Sequence, residues 1–284
     1  MPTIGSYSLY SIETGRFGLD GGAMFGIIPK PLWSRRIAAD DQNRIPLNMR
    51  CLLLEGEGRV ILVDNGLGDK YDDKFADIYA IDEEYPSLSE SLQDAGFSEE
   101  DVTDVILTHL HFDHCGGSTR RIGGELELAF PNARYHVQRA HWEWARNPNM
   151  RERASFLAEN LDPLADSSQL SLLDGPIELF PGIELILVNG HTESQQLVKV
   201  KGRVRTLVYV ADLLPTASHL RLPWIMAYDV RPLTTLVEKR RFLDEAVEGG
   251  WHFFFEHDPV TEVATARQTE RGIDVTDHRG LEDL

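Results

Sequence analysis

The chain has 284 residues, of which 42% are apolar and 26% are charged, and its formal net charge is −18. This length and apolar content are sufficient for one large core, so we expect a single domain over residues 1–284. The negative charge repels phosphate backbones and anionic lipids, which argues against nucleic acid and membranes as partners.

The cysteines and the N-terminal segment point to an intracellular setting. Cys51 and Cys115 are too few for a disulfide framework in a chain of this length. Residues 1–19 contain no basic segment followed by an apolar stretch, so we expect no signal peptide. No window of about 18 consecutive apolar residues occurs, so we expect no transmembrane helix. These patterns predict a cytoplasmic protein.

The first half of the chain alternates segments typical of strands with segments typical of helices. Residues 20–33 stand out between the first two strands, because this glycine- and proline-containing loop carries several apolar side chains. We expect the loop to cover the core or a pocket. In chain order, the predicted strands are 7–12, 51–54, 60–63, 102–107 and 134–137, and the predicted helices are 88–95, 139–146 and 151–160.

The second half of the chain repeats this plan. Strand hairpins that alternate with helices in two similar halves predict an α+β protein, in which a pair of sheets is covered by helices. The predicted strands here are 183–188, 197–200, 206–210 and 251–255, residues 234–247 form an amphipathic helix, and residues 260–271 form a closing helix or a mixed turn.

Potential metal ligands follow four of the predicted strands. His109 comes after the strand at 102–107, and His191, Asp212 and His257 come after later strands. Rigid strands that deliver side chains to one edge hold a site in a defined geometry. We therefore expect these side chains to converge.

The potential donors are too many for a single ion. Neutral imidazole and carboxylate are usual ligands of zinc and similar divalent ions, and one ion takes three or four of them. The larger set suits two divalent ions, and the two oxygens of Asp212 suit a bridge between them. We expect zinc, with manganese, iron or cobalt as alternatives. The predicted ligands are His109, His111, Asp113, His114, His191, Asp212 and His257.

Asp64 follows the predicted strand 60–63 and is itself followed by Asn65 and Gly66. Its carboxylate could orient a ligating histidine from behind the metal site. Alternatively, Asp64 is a turn residue that caps the end of the strand.

The run His109-Leu110-His111-Phe112-Asp113-His114 resembles the signature of the metallo-β-lactamase superfamily, and the later donors follow in the order expected for that family. The resemblance covers about residues 4–271 and implies an αββα four-layer sandwich with a two-metal site at one edge. It also implies a division of the ligands: His109, His111 and His191 for one ion, Asp113, His114 and His257 for the other, and Asp212 as the bridge.

Within the superfamily, the chain most resembles the branch of N-acyl-homoserine lactonases and methyl-parathion-hydrolase-like phosphotriesterases. Those lactonases place a tyrosine shortly after the bridging aspartate, whereas here Leu214 and Pro215 follow it and Tyr228 is more distant. This departure favours phosphotriesters or general esters over lactones. The similar stretches are residues 20–26 with Pro29 and Trp33, and residues 211–216 followed by His219.

The ligand set predicts a binuclear metal-dependent hydrolase that acts on an ester, lactone or phosphotriester bond of a small, partly apolar substrate. A metal-bridging hydroxide would attack that bond, and Asp113 would pass a proton to the leaving group. One alternative is a glutathione-thioester hydrolase of the glyoxalase II type, because Arg267 and Arg271 place basic residues near the C-terminal end. Another alternative is a non-catalytic small-molecule sensor on the same fold.

Apolar residues in two loops are predicted to line the substrate pocket, with ordinary core positions as the alternative. His219 is predicted to donate a hydrogen bond to the substrate or to a ligand, with a surface histidine as the alternative. Phe25 and Trp33 could instead pair two subunits, so a homodimer is also considered. The predicted pocket residues are Met24, Phe25, Trp33, Leu222, Trp224 and Met226.

Overall fold

The computed structural model describes residues 1–270 and 272–284. The strands of the first half are β1 (Thr3–Ile4), β2 (Tyr7–Asp20), β3 (Arg44–Gly56), β4 (Arg59–Val63), β5 (Asp104–Ile106), β6 (Thr119–Ile122), β7 (Glu125–Leu128), β8 (Arg134–Gln138) and β9 (Leu170–Leu173). Those of the second half are β10 (Glu178–Phe180), β11 (Ile183–Val188), β12 (Gln195–Lys201), β13 (Thr206–Tyr209), β14 (His252–Phe254), β15 (Val263–Thr269) and β16 (Gly272–Arg279).

The helices connect these strands and cover the two sheets. They are α1 (Gly21–Phe25), α2 (Lys30–Trp33), α3 (Asp73–Tyr79), α4 (Leu88–Asp94), α5 (Phe112–Cys115), α6 (Arg139–Arg146), α7 (Ala158–Ala165) and α8 (Pro232–Gly249).

Two mixed sheets form the centre of the molecule. The first has the strand order β1-β2-β3-β4-β5-β8-β9, and the second has the order β10-β11-β12-β13-β14-β15-β16. β4 pairs in parallel with β5, and β13 pairs in parallel with β14. β11 is antiparallel to β12, which is antiparallel to β13, so β11 runs in the same direction as β13. Parallel neighbours bring their carboxyl ends to the same edge, which is where the predicted ligands are placed.

The main core lies between the sheets. Leu52 and Leu54 of β3 pack in one buried cluster with Val208 of β13 and Phe254 of β14. A second buried cluster lies on the outer face of the first sheet, under α4, α6 and α7. On the other side, α8 packs against the second sheet, with the Phe242 and Phe253 ring centroids 5.7 Å apart. This helix–sheet–sheet–helix layering confirms the predicted α+β sandwich.

The predicted helix at 151–160 is wrong. Turns occupy residues 150–155, residues 156 and 157 have no regular structure, and α7 begins only at Ala158. The side chain of Asn149 accepts the backbone N–H groups of Arg151 and Glu152. These hydrogen bonds resemble those of a helix N-cap, but the turn is not continued, because Leu157 is extended with φ −89° and ψ 127°.

Two further expectations for the chain are corrected. Residues 20–33 are not a plain loop, because they contain the short helices α1 and α2. Residues 260–270 do not form a helix, since β15 runs through Val263–Thr269 and pairs with β14 and β16. The β-branched residues of this segment favour a strand, and Arg271 lies outside the described residues.

No helix in the described part of the chain combines the length and apolar character that crossing a bilayer requires.

Candidate metal centre

The predicted ligands meet at one edge of the sandwich because each follows the end of a strand. His109 follows β5, His191 follows β11, Asp212 follows β13 and His257 follows β14. Ala211, directly before Asp212, adopts a positive φ of 41°. A non-glycine residue in that conformation is strained, and such strain concentrates at functional sites.

The segment after β5 supplies several donors within one turn. Helix α5 begins immediately after His111, so Asp113 and His114 lie in its first turn. Gly116 ends this short helix, and a Cβ there would collide with the backbone of Leu67. Only glycine therefore allows this turn to pack so closely against the loop that follows β4.

The first donor group comprises His109, His111, His191 and Asp212, whose ligand atoms all lie within 4.8 Å of one another. His191 Nε2 is 3.1 Å from Asp212 Oδ2. His111 turns its Nδ1 toward the group, 3.1 Å from His109 Nε2 and 3.2 Å from His191 Nε2. Three imidazoles and one carboxylate in this arrangement match the ligand number of a divalent ion such as zinc.

The second donor group comprises Asp113, His114 and His257. His114 Nε2 and His257 Nε2 are 3.2 Å apart, and Asp113 Oδ2 lies 3.7 Å from His257 Nε2. All three side chains are buried. Two imidazoles and a carboxylate can hold a second cation next to the first group.

Asp212 joins the two groups. Its Oδ2 is 3.6 Å from His114 Nε2, and its Oδ1 is 3.4 Å from His257 Nε2. Within the described part of the chain, Oδ1 has no hydrogen-bond partner although the carboxylate is buried. A buried carboxylate oxygen without a partner is costly, and a cation between the groups would satisfy it.

The second nitrogen of each ligating histidine faces a polar partner, which fixes the orientation of its ring. This pairing holds for every histidine of the two groups. The partners are Thr108 Oγ1 at 3.1 Å for His109, Glu152 Oε1 at 3.5 Å for His111, Asp64 Oδ2 at 3.1 Å for His114, Asp229 Oδ1 at 3.1 Å for His191 and the Asn48 carbonyl at 2.8 Å for His257.

Asp64 and Glu256 both approach His114 from behind. Asp64 Oδ2 and Glu256 Oε2 lie 3.1 Å and 2.9 Å from His114 Nδ1, and both carboxyl groups are fully buried. Burial, together with the charge of Glu256, raises the pKa of Asp64 to about 7. Asp64 therefore occupies the orienting position considered from the sequence, while it also ends β4.

The electrostatics of the site favour positive charge at its centre. Burial lowers the pKa of His191, but the carboxylates of Asp212 and Asp229 outweigh it and raise the pKa to about 10. Burial likewise lowers the pKa of His257, and the nearby carboxylates raise it to about 9. Burial raises the pKa of Asp212, yet the surrounding imidazoles hold it well below its usual range. Divalent cations suit such an environment.

A cavity of about 300 Å³ opens above both donor groups. This volume lies at the lower end of the range for small-molecule sites. Residues of both donor groups form its floor. The remaining lining residues are Leu19, Ala23, Met24, Tyr79, Phe112, Arg151, Glu152, Ser155, Met226, Ala227 and Tyr228.

The predicted pocket wall is only partly correct. Met24 and Met226 line the cavity, whereas Phe25, Trp33 and Trp224 are packed together in a buried aromatic cluster behind it. Leu222 lines a different cavity. Met24, Phe25 and Trp33 are placed by the short helices α1 and α2, and the other three lie in an irregular segment. Composition does not identify which side of these segments faces the cavity.

His219 does not reach the cavity. Its Nε2 donates to the Met24 carbonyl at 2.9 Å, its Nδ1 lies 2.8 Å from Thr216 Oγ1, and its ring stacks on Phe25 at 4.8 Å. Burial lowers its pKa to about 3, so the ring is neutral. The predicted role as a donor to the substrate or a ligand is therefore wrong, and His219 instead anchors α1.

The sequence interpretation missed several residues that contact the ligands or the cavity. Glu152 and Asp229 orient His111 and His191, but neither follows a strand or belongs to a recognisable pattern. Tyr228, although distant from Asp212 in sequence, lines the cavity. Burial and the charge of nearby groups such as Asp113 raise its pKa, so its phenol remains a hydrogen-bond donor.

Comparisons with known sequences agree with this geometry. The family model described as metallo-beta-lactamase superfamily matches residues 46–268. An N-acyl homoserine lactonase from Bacillus cereus is 29% identical over 175 residues, which cover 58% of this chain and 63% of that protein. The match thus spans less than two thirds of that relative. A probable metallo-hydrolase from Mycobacterium tuberculosis is 24% identical over 243 residues, 75% of this chain and 74% of that protein.

Solved structures agree over the full length. A probable metal-dependent hydrolase from Staphylococcus aureus aligns with a TM-score of 0.90 and 28% identity, covering 100% of both chains. AidC, a dizinc quorum-quenching lactonase in complex with a product, aligns with a TM-score of 0.82 over 99% of this chain and 97% of that chain. Its identity of 21% supports the fold alone. With the family model matching most of the chain, the protein belongs to the metallo-β-lactamase superfamily.

Proposed function

We propose that this chain is a binuclear metal-dependent hydrolase that cleaves an ester or lactone bond in a small, partly apolar molecule. One observation carries the proposal: two donor groups adjoin at Asp212, and residues of both groups line a cavity of about 300 Å³. A purely structural metal site is closed by its ligands, whereas a catalytic site leaves room for a reactant.

The two donor groups would each hold one ion, and Asp212 of the first group, whose Oδ1 lies 3.4 Å from His257 Nε2, would contact both ions. Two divalent ions bound there would supply a Lewis acid for the reacting carbonyl and a source of nucleophile at neutral pH. The outer partners of the histidines keep the rings in place. Asp113 lines the cavity, which supports a role for its carboxylate in passing a proton to the leaving group.

Tyr228 supports ester and lactone substrates. The absence of a tyrosine close to Asp212 in sequence favoured phosphotriesters, but folding brings the Tyr228 side chain to the same cavity. A protonated phenol there can donate a hydrogen bond to a carbonyl oxygen of the substrate. The names of the relatives, which include N-acyl homoserine lactonases, agree with this choice.

The test is metal analysis combined with a turnover panel. The purified protein should contain two divalent ions per chain and hydrolyse lactones or aryl esters faster than phosphotriesters or glutathione thioesters. His111→Ala should lower metal content and reduce turnover by about 10²–10³-fold, because a ligand of the first group is lost. His278→Asn is the matched control, since His278 lies outside both donor groups and contacts Thr261.

Three outcomes of this test would contradict the proposal or change the proposed function. Full activity in a metal-free preparation would contradict it. Two bound ions with no turnover on any substrate would indicate a small-molecule sensor. A preference for phosphotriesters or for glutathione thioesters would keep the metal centre and replace the substrate class.

A further inference from the structure

Arg151 gives the cavity a positive charge that the metal chemistry does not require. It lies in the turn-rich connection between α6 and α7 and lines the cavity together with Glu152 and Ser155. Among the described lining residues it is the single arginine or lysine. The chain has a net charge of −18, so a positive side chain at the cavity contrasts with the charge of the protein as a whole.

The position of Arg151 is fixed by backbone contacts. Its Nη2 donates to the carbonyls of Ala227 and Asp229, the latter at 3.2 Å. Its own backbone N–H donates to Asn149 Oδ1 at 2.8 Å. The guanidinium therefore bridges two loops that both line the cavity, and little side-chain entropy remains to be lost on binding.

The charge of Arg151 is not neutralised within the described residues. No carboxylate of that part of the chain lies within ion-pair distance of its guanidinium, and Nε and Nη1 have no hydrogen-bond partner there. Glu152 is adjacent in sequence but is directed elsewhere: Thr192 Oγ1 donates to its Oε1 at 2.6 Å and Trp144 Nε1 donates to its Oε2 at 2.8 Å. Two N–H-bearing nitrogens are thus available to a ligand.

We propose that Arg151 determines specificity by binding a carboxylate that the substrate carries at a distance from the bond that is cut. The proposal rests on the proposed function and narrows its substrate class to acidic esters or lactones. The apolar lining residues Leu19, Met24, Phe112 and Met226 would contact the chain between that carboxylate and the reacting group. A charge-assisted hydrogen bond from guanidinium to carboxylate is the strong form of this contact.

The test uses two matched esters, mono-p-nitrophenyl adipate and its neutral methyl ester. Wild-type protein should show a kcat/KM for the acid that is about tenfold higher or more. Arg151→Gln should lower kcat/KM for the acid by roughly 10- to 100-fold, the worth of one hydrogen bond to a charged group. The same variant should change kcat/KM for the neutral ester less than about threefold.

Two further variants distinguish the effect of the Arg151 charge from a general effect on folding. Arg153→Gln removes an exposed arginine from the same connection outside the cavity lining and should keep the preference for the acid. Arg151→Lys retains the charge but not the geometry of the guanidinium, so it should keep part of the preference. An equal loss on both esters in Arg151→Gln would mean that Arg151 only holds residues 227–229, and would overturn the proposal.

Calorimetric titration tests the subsite without turnover. N-phenyl adipamic acid should bind the metal-loaded wild type more tightly than neutral N-phenylhexanamide, and Arg151→Gln should remove the difference. A preference for the acid that persists in Arg151→Gln would place the carboxylate on the metal ions and overturn the proposal. Failure of wild-type protein to hydrolyse any ester would contradict the proposed function, while this binding difference would still decide the role of Arg151.

Discussion

The two sides of the cavity are built in different ways. The donor side follows the ends of β5, β11, β13 and β14, and every histidine of the two donor groups has a polar partner behind it. The opposite side, here named the cover, consists of residues 20–33, 149–157 and 221–229, which are short helices and turns. Rigid strands suit the fixed geometry of a metal centre, whereas loops can vary with the substrate.

The two sides are nevertheless connected. Asp229 and Glu152 belong to the cover, yet they are the outer partners of His191 and His111. Arg151 joins two segments of the cover to each other. A substitution in the cover can therefore alter the metal centre through the contacts of Asp229 and Glu152.

The largest effect is expected at Asp212, which belongs to the donor side alone. Asp212→Ala removes the carboxylate shared by both groups, so both ions should be lost or weakened and turnover should fall by about 10³-fold. Metal analysis and steady-state kinetics measure the two effects. Normal metal content with normal turnover would contradict the assignment of Asp212 as the shared ligand.

Asp229 tests the connection between the cover and the donor side. Asp229→Ala removes the partner of His191 Nδ1, and the affinity for metal should fall by about 10–100-fold. Competition with a chelator measures this change. Asp94→Ala, at an exposed position of α4, is the control and should leave the affinity unchanged. Unchanged affinity for metal in Asp229→Ala would show that the cover does not influence the donor side through this contact.

Lys239 contacts the cover, and its titration is expected to make the free energy of unfolding depend on pH. Its buried Nζ donates to the carbonyls of Arg221, Leu222 and Trp224, and burial lowers its pKa to about 7. Between about pH 7 and the ordinary lysine value of 10.5, the unfolded chain binds the proton more strongly than the folded chain. The free energy of unfolding should therefore rise with pH in this window, by up to about 1.4 kcal/mol per pH unit.

Urea unfolding at pH 7, 8 and 9 measures this slope. Lys239→Met should lack this contribution, while the exposed Lys74→Met should retain it. The same slope in Lys239→Met and in wild-type protein would show that Lys239 does not titrate in this range.

The smallest effect is expected at His219, which anchors α1 within the cover. His219→Phe preserves an aromatic ring against Phe25 but removes the hydrogen bond to the Met24 carbonyl. The free energy of unfolding should fall by about 1 kcal/mol, and KM should change more than kcat. A large loss of metal would mean that His219 acts on the donor side instead.

The same division explains how much the sequence could predict. The donors lie in a compact run and at strand ends, so strand periodicity and ligand chemistry were sufficient to locate them. The cover could not be predicted in the same way, because the apolar residues of 20–33 do not indicate which side faces the cavity. Trp33 and Phe25 lie in the buried cluster. Arg151 and Tyr228 line the cavity although they belong to segments that are distant in sequence.

The central claim is a binuclear centre in which Asp212 is shared. Anomalous diffraction from crystals of the metal-loaded protein, recorded at the absorption edge of the bound metal, tests it most directly. The account predicts two peaks roughly 3.5–4 Å apart, one among His109, His111 and His191 and one among Asp113, His114 and His257, with Asp212 between them. A single peak, or peaks away from these side chains, would contradict it.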